Sequence, residues 1–342
     1  MLFLFRNSYD TASTFAVSNF FKNLLVDRYQ KAFIIYQVYH YGNIDDCFTK
    51  KHADNFITAR YSGDGEKLER FGQYTLIRPE PQAIWRKSLT PQEWTNLAHT
   101  RFDREQKDKF RFSDDVQGGW LKNAKVPEFW LVNYKYQDLS IRLRLALTSF
   151  GHVGIFPEQG SNWNFIYDTI TQWSLQKPRV LNLFAYTGAA SVVARAAGAE
   201  VTHVDASRPG LNWANHNMQL NNLTDIRWVL EDALKFVKRE VKRGNTYNGI
   251  IMDPPPYGRG PDGEKWTLQE KLNELVMLAS QLLEKQQSFF ILSMYAAGLS
   301  PLVGLNVVKT HFPQSEIASG EFYLSCKTGI HLPMGTYVRF SR

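Results

Sequence analysis

Short apolar runs alternate with helical stretches through the second half of the chain. RVLNLF precedes AASVVARAAG, AEVTHVD precedes PGLNWANHNMQLNNL, and IRWVL precedes EDALKFVKREVKR. IIMD then comes before a helical stretch over about 268–283, which SFFILS follows. This alternation predicts an α/β fold with a doubly wound, mostly parallel sheet. The end of the chain differs, because FYLSC and TYVRFS are two strand-like runs joined by a Gly- and Pro-containing connection. They predict a closing antiparallel pair and bring the sheet to seven strands.

The first half reads otherwise. FAVSNFFKNLLVDRYQKAFIIYQVYHY has helical spacing at its start, with Phe20, Leu24 and Leu25 on one face, and turns β-branched and aromatic later. From about Tyr61 to Tyr134 the pattern is one of short strands and turns. Gly63 and Gly65 mark a turn, and FGQYTLIRP alternates before stopping at Pro79. SLTPQEW predicts a helix start with Thr90 as N-cap and Pro91 in the first position. The charge-dense FDREQKDKFRFSDDVQGGW reads as a solvated loop or helix, and WLVNYKYQDLSIRLRLAL as a hairpin around Gln137 and Asp138. The expected division is an extension over 1–60, a small β-rich domain over 61–134 and the parallel-sheet domain over 135–342.

Composition narrows the function classes. The chain has 342 residues, 44% hydrophobic and 21% charged, an ordinary globular balance. Cys47 and Cys326 are its only cysteines, which excludes a disulfide framework and a cysteine zinc site and points to a reducing cytoplasm. No metal site is expected. No window reaches the length of a bilayer span, and Arg6, Asn7 and Asp10 interrupt the apolar start before a signal-peptide core forms. A net charge of +7 allows an anionic partner without naming one.

Ligands of open α/β sheets bind beyond the carboxyl ends of the strands, so the residues just after each run carry the chemistry. The first run leads into Ala185-Tyr186-Thr187-Gly188, where one glycine allows close backbone approach. The G-x-G-x-x-G spacing of dinucleotide binders is absent, against a nicotinamide enzyme. The second run ends at Asp205, where a ribose would present hydroxyls, and the third at Glu231-Asp232, where a carboxylate can accept from an adenine amine. The fourth ends in Asp253-Pro254-Pro255-Pro256-Tyr257-Gly258-Arg259. Its prolines fix φ, preorganise the loop and leave backbone carbonyls free for a substrate. Any one of these acids is equally an ordinary helix N-cap. The set of three, with the glycine turn, suits a nucleoside without a phosphate cradle.

NLFAYTG, AEVTHVDAS, EDALKF and DPPPYGRG together resemble the class I S-adenosylmethionine-dependent methyltransferases, which have a Rossmann-like fold. More narrowly they resemble the bacterial family related to the large-subunit ribosomal RNA methyltransferases that make 5-methylcytosine or 7-methylguanine. TSFGHVGIFPEQGSNW resembles that family's approach to its catalytic domain. The resemblance covers about Ser149 to Arg342, and Tyr61 to Tyr134 more loosely. It implies S-adenosyl-L-methionine along Asn182, Phe184, Tyr186, Thr187 and Gly188, with Asp205 and Ala206 at the ribose and Asp232 near the adenine. It implies Asp253 near the methionine end and the target base, with Pro254, Pro255 and Tyr257 in the catalytic loop. Phe156 and Gln159 would line the cofactor pocket. The family's Asp-Gln-Arg reads Glu158-Gln159-Gly160 here, so an arginine contact is missing.

Carbon-5 of a pyrimidine becomes nucleophilic only after a thiolate adds to the ring. DPPPYG and ILSMYAAG hold no cysteine, and Cys326 reads as core, so a nitrogen acceptor is favoured. Tyr257 would stack on a flipped base or simply pack in a turn. Lys235, Lys238, Arg239, Lys242 and Arg243 make a basic helix face that is more often solvated than functional. Arg208 and Arg259 would flank the pocket, with Arg259 the better candidate for RNA, most plausibly ribosomal. Methylation of a protein or a small molecule, and cofactor binding without catalysis, stay open.

Overall fold

The computed structural model describes residues 42–43, 57–104, 118–122, 126–295 and 299–342. Phe20, Leu24, Leu25 and Cys47 lie outside the described residues, as do most of 1–60 and the middle of the charge-dense segment. The first described element is β1 (Gly42–Asn43), a two-residue strand. A five-stranded sheet follows, built from β2 (Ile57–Gly63), β3 (Glu66–Phe71), β4 (Tyr74–Pro79), β5 (Thr100–Arg104) and β6 (Gly118–Lys122), in that spatial order. The first three strands form an antiparallel meander, with Asp64 and Gly65 at positive φ in the expected turn. Helix α1 (Pro91–Leu97) lets β5 return parallel to β4. Thr90 caps it in a full capping box with Glu93.

Two local readings need correction. Strand β4 does not alternate, because Thr75 to Arg78 are all buried; it lies inside the sheet and carries Arg78 inward. The two ends of the charge-dense segment are not loop, since Phe102 to Arg104 and Gly118 to Trp120 pair as antiparallel strands.

The expected hairpin follows as β7 (Phe129–Tyr136) and β8 (Leu139–Ala146), with Gln137 at positive φ in the turn. Its inward face pairs Trp130 with Leu145, Val132 with Leu143 and Tyr134 with Ile141, all buried. Position 134/135 falls inside β7, so the hairpin straddles the expected domain division.

A single 3-10 turn (Pro157–Gln159) then leads into α2 (Gly160–Gln172), and the alternating elements begin. They are β9 (Arg179–Leu183), α3 (Ala189–Ala196), β10 (Glu200–Asp205), α4 (Arg208–Leu220), β11 (Ile226–Leu230), α5 (Ala233–Lys242) and β12 (Gly249–Met252). A small hairpin, β13 (Tyr257–Arg259) and β14 (Lys265–Thr267), precedes α6 (Leu268–Leu282), β15 (Phe289–Met294) and α7 (Pro301–His311). Strands β16 (Ala318–Ser325) and β17 (His331–Ser341) close the chain.

The large sheet has the order β1-β16-β17-β15-β12-β9-β10-β11. Its seven longer strands are parallel except β17, which runs antiparallel to both neighbours; β1 adds an eighth, short strand at the edge. Successive strand residues feed two separate cores. Val180, Ile251, Phe289 and Ile291 face one that includes α2, α3 and the β7–β8 hairpin, while Leu181, Ile250, Phe290 and Leu292 face α5, α6 and α7. Each such fully buried side chain contributes about 1.5–3 kcal/mol. Both faces are thus apolar, which is why polar residues near the carboxyl ends, Asn182 and Ser293, stand out.

Candidate functional site

One cavity of about 640 Å³ opens beyond the carboxyl ends of β9, β10, β11, β12 and β15. The loop after β9 is strained: Phe184, Tyr186 and Gly188 all have positive φ, between 49° and 80°. Non-glycine residues avoid this region unless their surroundings enforce it. Here Asp205 at the end of β10 does so, its Oδ2 accepting from the Tyr186 backbone N–H at 2.7 Å. Thr187 Oγ1 donates to the Gly154 carbonyl at 2.7 Å, tying the loop to the segment before α2. Gly188 leaves room for α4, since a Cβ there would sit 2.8 Å from that of Ala214. Beneath the loop, Asn182 Nδ2 donates to Ser191 Oγ at 2.9 Å, and Ser191 meets His203 Nδ1 at 3.0 Å. Burial pushes the His203 pKa down to about 3, so this support is neutral at physiological pH.

The acids divide between the two readings. Asp205 is not a cap, because Ser207 caps α4; its Oδ1 instead accepts from the Ser207 backbone at 2.7 Å. Burial raises its pKa against the pull of those two N–H groups. Asp232 is the N-cap of α5, accepting from the Lys235 N–H at 2.9 Å, and it also lines the cavity beside Glu231. Asp253 is held by side chains. Gln159 Nε2 donates to its Oδ2 at 3.0 Å, and burial raises its pKa to about 6.

The orientation of the Gln159 amide follows from its other end. Its Oε1 accepts from Asn162 Nδ2 at 2.9 Å and from Ser293 Oγ at 3.2 Å. Asn162 Oδ1 accepts in turn from Arg339 at 3.0 Å, and Arg339 also grips the Ser161 carbonyl at 2.9 Å. A chain of polar contacts thus runs from β17 through the first turn of α2 to Asp253. Phe156 packs on this side of the loop, its ring 5.7 Å from that of Tyr186.

The proline loop is bound internally more than expected. The Pro255 carbonyl accepts from the Trp266 indole at 2.7 Å, and the Pro256 carbonyl from the Leu268 N–H at 3.0 Å. Those two acceptors are therefore not free for a substrate. Trp266 is buried against Phe184 at 4.8 Å between ring centres, so β13–β14 clamps the loop to the sheet. Tyr257 begins that hairpin and is 59% exposed at the cavity mouth, which removes the reading of a packed turn residue. Arg259 is exposed there too and has no carboxylate partner among the described residues.

All fifteen anticipated site residues line this one cavity: Phe156, Gln159, Asn182, Phe184, Tyr186, Thr187, Gly188, Asp205, Ala206, Asp232, Asp253, Pro254, Pro255, Tyr257 and Arg259. Arg208 does not; it heads α4, one residue beyond the lining. Four of the five residues on the basic face of α5 are paired with acids; Lys242 is exposed, with no acid partner among the described residues. Lys235 binds Asp262 and Glu264, Lys238 binds Glu274, Arg239 binds Glu231 and Arg243 binds Glu240. Not assigned to the site from the sequence were Lys67, Arg78 and Glu80, which line the cavity from the five-stranded sheet, and Glu158, Ser293 and Tyr295, which line it from the 3-10 turn and the end of β15. A charged Arg-Pro-Glu-Pro across the end of a strand was the available signal. Among the described residues no group of three or more His, Cys, Asp and Glu is placed to hold a metal. Nor is any helix there long and apolar enough to cross a membrane.

Residues 74–284, more than half of the chain, match the family model of S-adenosylmethionine-dependent methyltransferases. The chain belongs to that family. Its cofactor is S-adenosylmethionine. The crystal structure of a SAM-dependent methyltransferase from Agrobacterium tumefaciens is 33% identical, covers 85% of this chain and 92% of that one, and superposes with a TM-score of 0.75. A candidate methyltransferase crystallised with S-adenosylhomocysteine, 20% identical, shares the fold with a TM-score of 0.63 over 84% of this chain and 76% of that one. Ribosomal RNA large subunit methyltransferase K/L of Shewanella frigidimarina is 32% identical over 152 residues, 42% of this methyltransferase and 20% of that protein. Ribosomal RNA large subunit methyltransferase I of Tolumonas auensis is 42% identical over 82 residues, 23% of this chain and 21% of that protein. The chain spans only about a tenth to a fifth of the length of the first three curated relatives it matches.

Proposed function

We propose that this methyltransferase transfers the methyl group of S-adenosylmethionine to a base of RNA, most plausibly ribosomal RNA in the cytoplasm, at a nitrogen and not at carbon-5. The observation that carries the reading is the mouth of the cavity. Tyr257, exposed and apolar-faced, stands beside the unpaired cation Arg259, a stacking surface next to a phosphate contact. The names of the curated relatives point the same way. No cysteine lines the cavity among the described residues, and Cys326 is buried in the core, which speaks against a thiolate route to carbon-5.

The residues present suit the cofactor. Asp205 keeps lone pairs free beyond its two backbone bonds, which supports it as acceptor for ribose hydroxyls, and Asp232, also in the lining, is the acceptor proposed for the adenine amine. Deep in the cavity, Lys67 and Arg78 are taken up by Glu69 and Glu80, which leaves no free cation for a phosphate and an acidic surround suited to a cationic ligand. When bound, the sulfonium supplies an already activated methyl group. What remains for the protein is alignment and exclusion of water. Gln159 holds Asp253, Trp266 holds the proline loop, and Tyr257 receives the base.

The five-stranded sheet is proposed as the substrate-side wall, with the domain division placed between 122 and 129, ahead of the hairpin. Calorimetry with S-adenosylmethionine tests the cofactor site: binding by the wild type and at least tenfold weaker binding by Asp205→Ala are expected. Nucleoside mass spectrometry of ribosomal RNA from a deletion strain tests the substrate. An unchanged modification profile would remove RNA and leave a protein or small-molecule acceptor.

A further inference from the structure

Glu158 is the buried acid that the contacts above do not use. It is 5% exposed, lines the cavity, and its Oε2 has no hydrogen-bond partner. Charged and titratable groups face it from every side. Strand β3 brings Lys67 and Glu69, β4 leads to Arg78 and Glu80, the end of β12 brings Asp253, and the end of β15 brings Tyr295. Lys67 Nζ lies 3.1 Å from Glu80 and 3.7 Å from Glu69, and Arg78 meets Glu69 at 2.7 Å. The Tyr295 hydroxyl donates to Glu80 at 3.1 Å. Two cations and two of the carboxylates cancel, which leaves Glu158 and Asp253 as the uncompensated acids. Asp253 is held by the Gln159 amide, whereas Glu158 has only a backbone N–H and an Oε2 without a partner. A carboxyl kept for structure alone is ordinarily satisfied by hydrogen bonds, because burying it unpaired is costly.

We propose that Glu158 is the proton acceptor of the reaction, taking the N–H proton from the acceptor nitrogen as that nitrogen is methylated. The inference rests on the nitrogen reading above and deepens it: the acceptor is an amino group or ring nitrogen that carries a hydrogen, not a nitrogen that stays unprotonated throughout. The new bond joins nitrogen to the methyl carbon as the carbon–sulfur bond breaks, with its electron pair left on sulfur. The nitrogen's proton passes to the Glu158 carboxylate, so nitrogen finishes neutral and Glu158 finishes as the acid. Neighbouring Gln159 holds Asp253 ionised or protonated in a fixed place beside it. Burial sets Glu158 near neutrality, at about 7, where a base is both available and strong enough to act.

The test uses the full chain as wild type, Glu158→Gln and Glu158→Asp, methyl-labelled S-adenosylmethionine, and total RNA from a strain lacking the gene. In the wild type, log kcat is expected to rise with pH and level off near neutrality. Glu158→Gln should lose that limb and at least a hundredfold in kcat, with KM unchanged. Glu158→Asp should restore the limb in part. A readout without turnover accompanies these, from the two protonated-carboxyl infrared components expected near neutrality. The one titrating at about 7 belongs to Glu158 and is missing in Glu158→Gln, while the one at about 6 belongs to Asp253 and is missing in Asp253→Asn. S-adenosylhomocysteine affinity, measured by calorimetry, should agree within about twofold among the three proteins, which shows that the variants fold. Wild-type transfer with an unchanged Glu158→Gln profile overturns the role of Glu158 alone, as does a component at about 7 that persists in that variant. No transfer to RNA by the wild type overturns the RNA reading and this inference with it.

Discussion

Replacing Glu158 by Gln should make the protein more stable at alkaline pH than at acidic pH, relative to wild type. Burial, only partly opposed by Lys67, raises the Glu158 carboxyl from 4.5 to about 7 in the folded state. A carboxyl raised in this way favours the fold while it is protonated. Its contribution is complete below the unfolded value of 4.5 and is lost as pH climbs through about 7. The full difference corresponds to about 3 kcal/mol, of which roughly 1 kcal/mol is already gone near pH 5. Glutamine keeps the shape and has no proton to lose. The stability gap between variant and wild type should therefore widen by about 2 kcal/mol between about pH 5 and pH 8. Urea melts at several pH values measure it directly, and comparing the two proteins cancels the other titrating groups. Parallel curves for the two proteins would refute the argument, because they would mean that Glu158 ionises as easily in the fold as in the unfolded chain.

Three more outcomes follow from named contacts. Gly154→Ala should cost about 1–3 kcal/mol in a thermal melt and weaken cofactor binding, because a Cβ there would lie 2.2 Å from the Trp213 ring, at a φ of 92°. Arg259→Ala should lower RNA affinity and reduce its salt slope by about one, whereas Lys238→Ala, already paired with Glu274, should leave that slope unchanged; equal effects in filter binding would contradict the assignment. Thr90→Ala removes the hydroxyl half of the capping box while the backbone N–H at position 90 can still donate to Glu93. It should destabilise by about 1 kcal/mol in urea melts, without changing cofactor affinity, since α1 lies outside the cavity lining.

The difference between what was legible in the sequence and what was not has a physical origin. Strands of the large sheet announced themselves because both their faces are apolar, and the residues just beyond them lie at the cavity by the geometry of the fold. That is why Asp205, Asp232 and Asp253 could be found from position alone. Which of them caps a helix could not: Asp232 does and Asp205 does not, a matter of two residues in where α4 and α5 begin. The wall formed by Lys67, Arg78 and Glu80 was hidden for another reason. These side chains come from a different sheet, and their charges read as surface until the contacts across the chain are known.

The proline loop shows the same limit from the other side. Its rigidity follows from three fixed φ values, but its free acceptors do not, because the Trp266 indole and the Leu268 N–H arrive from the hairpin that the loop itself leads into. With the Pro255 and Pro256 carbonyls occupied, the polar groups that the cavity still offers are side chains, among them the acids, Tyr257 and Arg259. Asp253 is restrained by Gln159, whose own amide is set by Asn162, Ser293 and Arg339. Glu158, one residue before Gln159, has no partner on Oε2 and, like Asp253, is raised by burial toward neutrality. The backbone therefore supplies the rigid frame of this site, and the recognition and proton transfer proposed for it would fall to side chains.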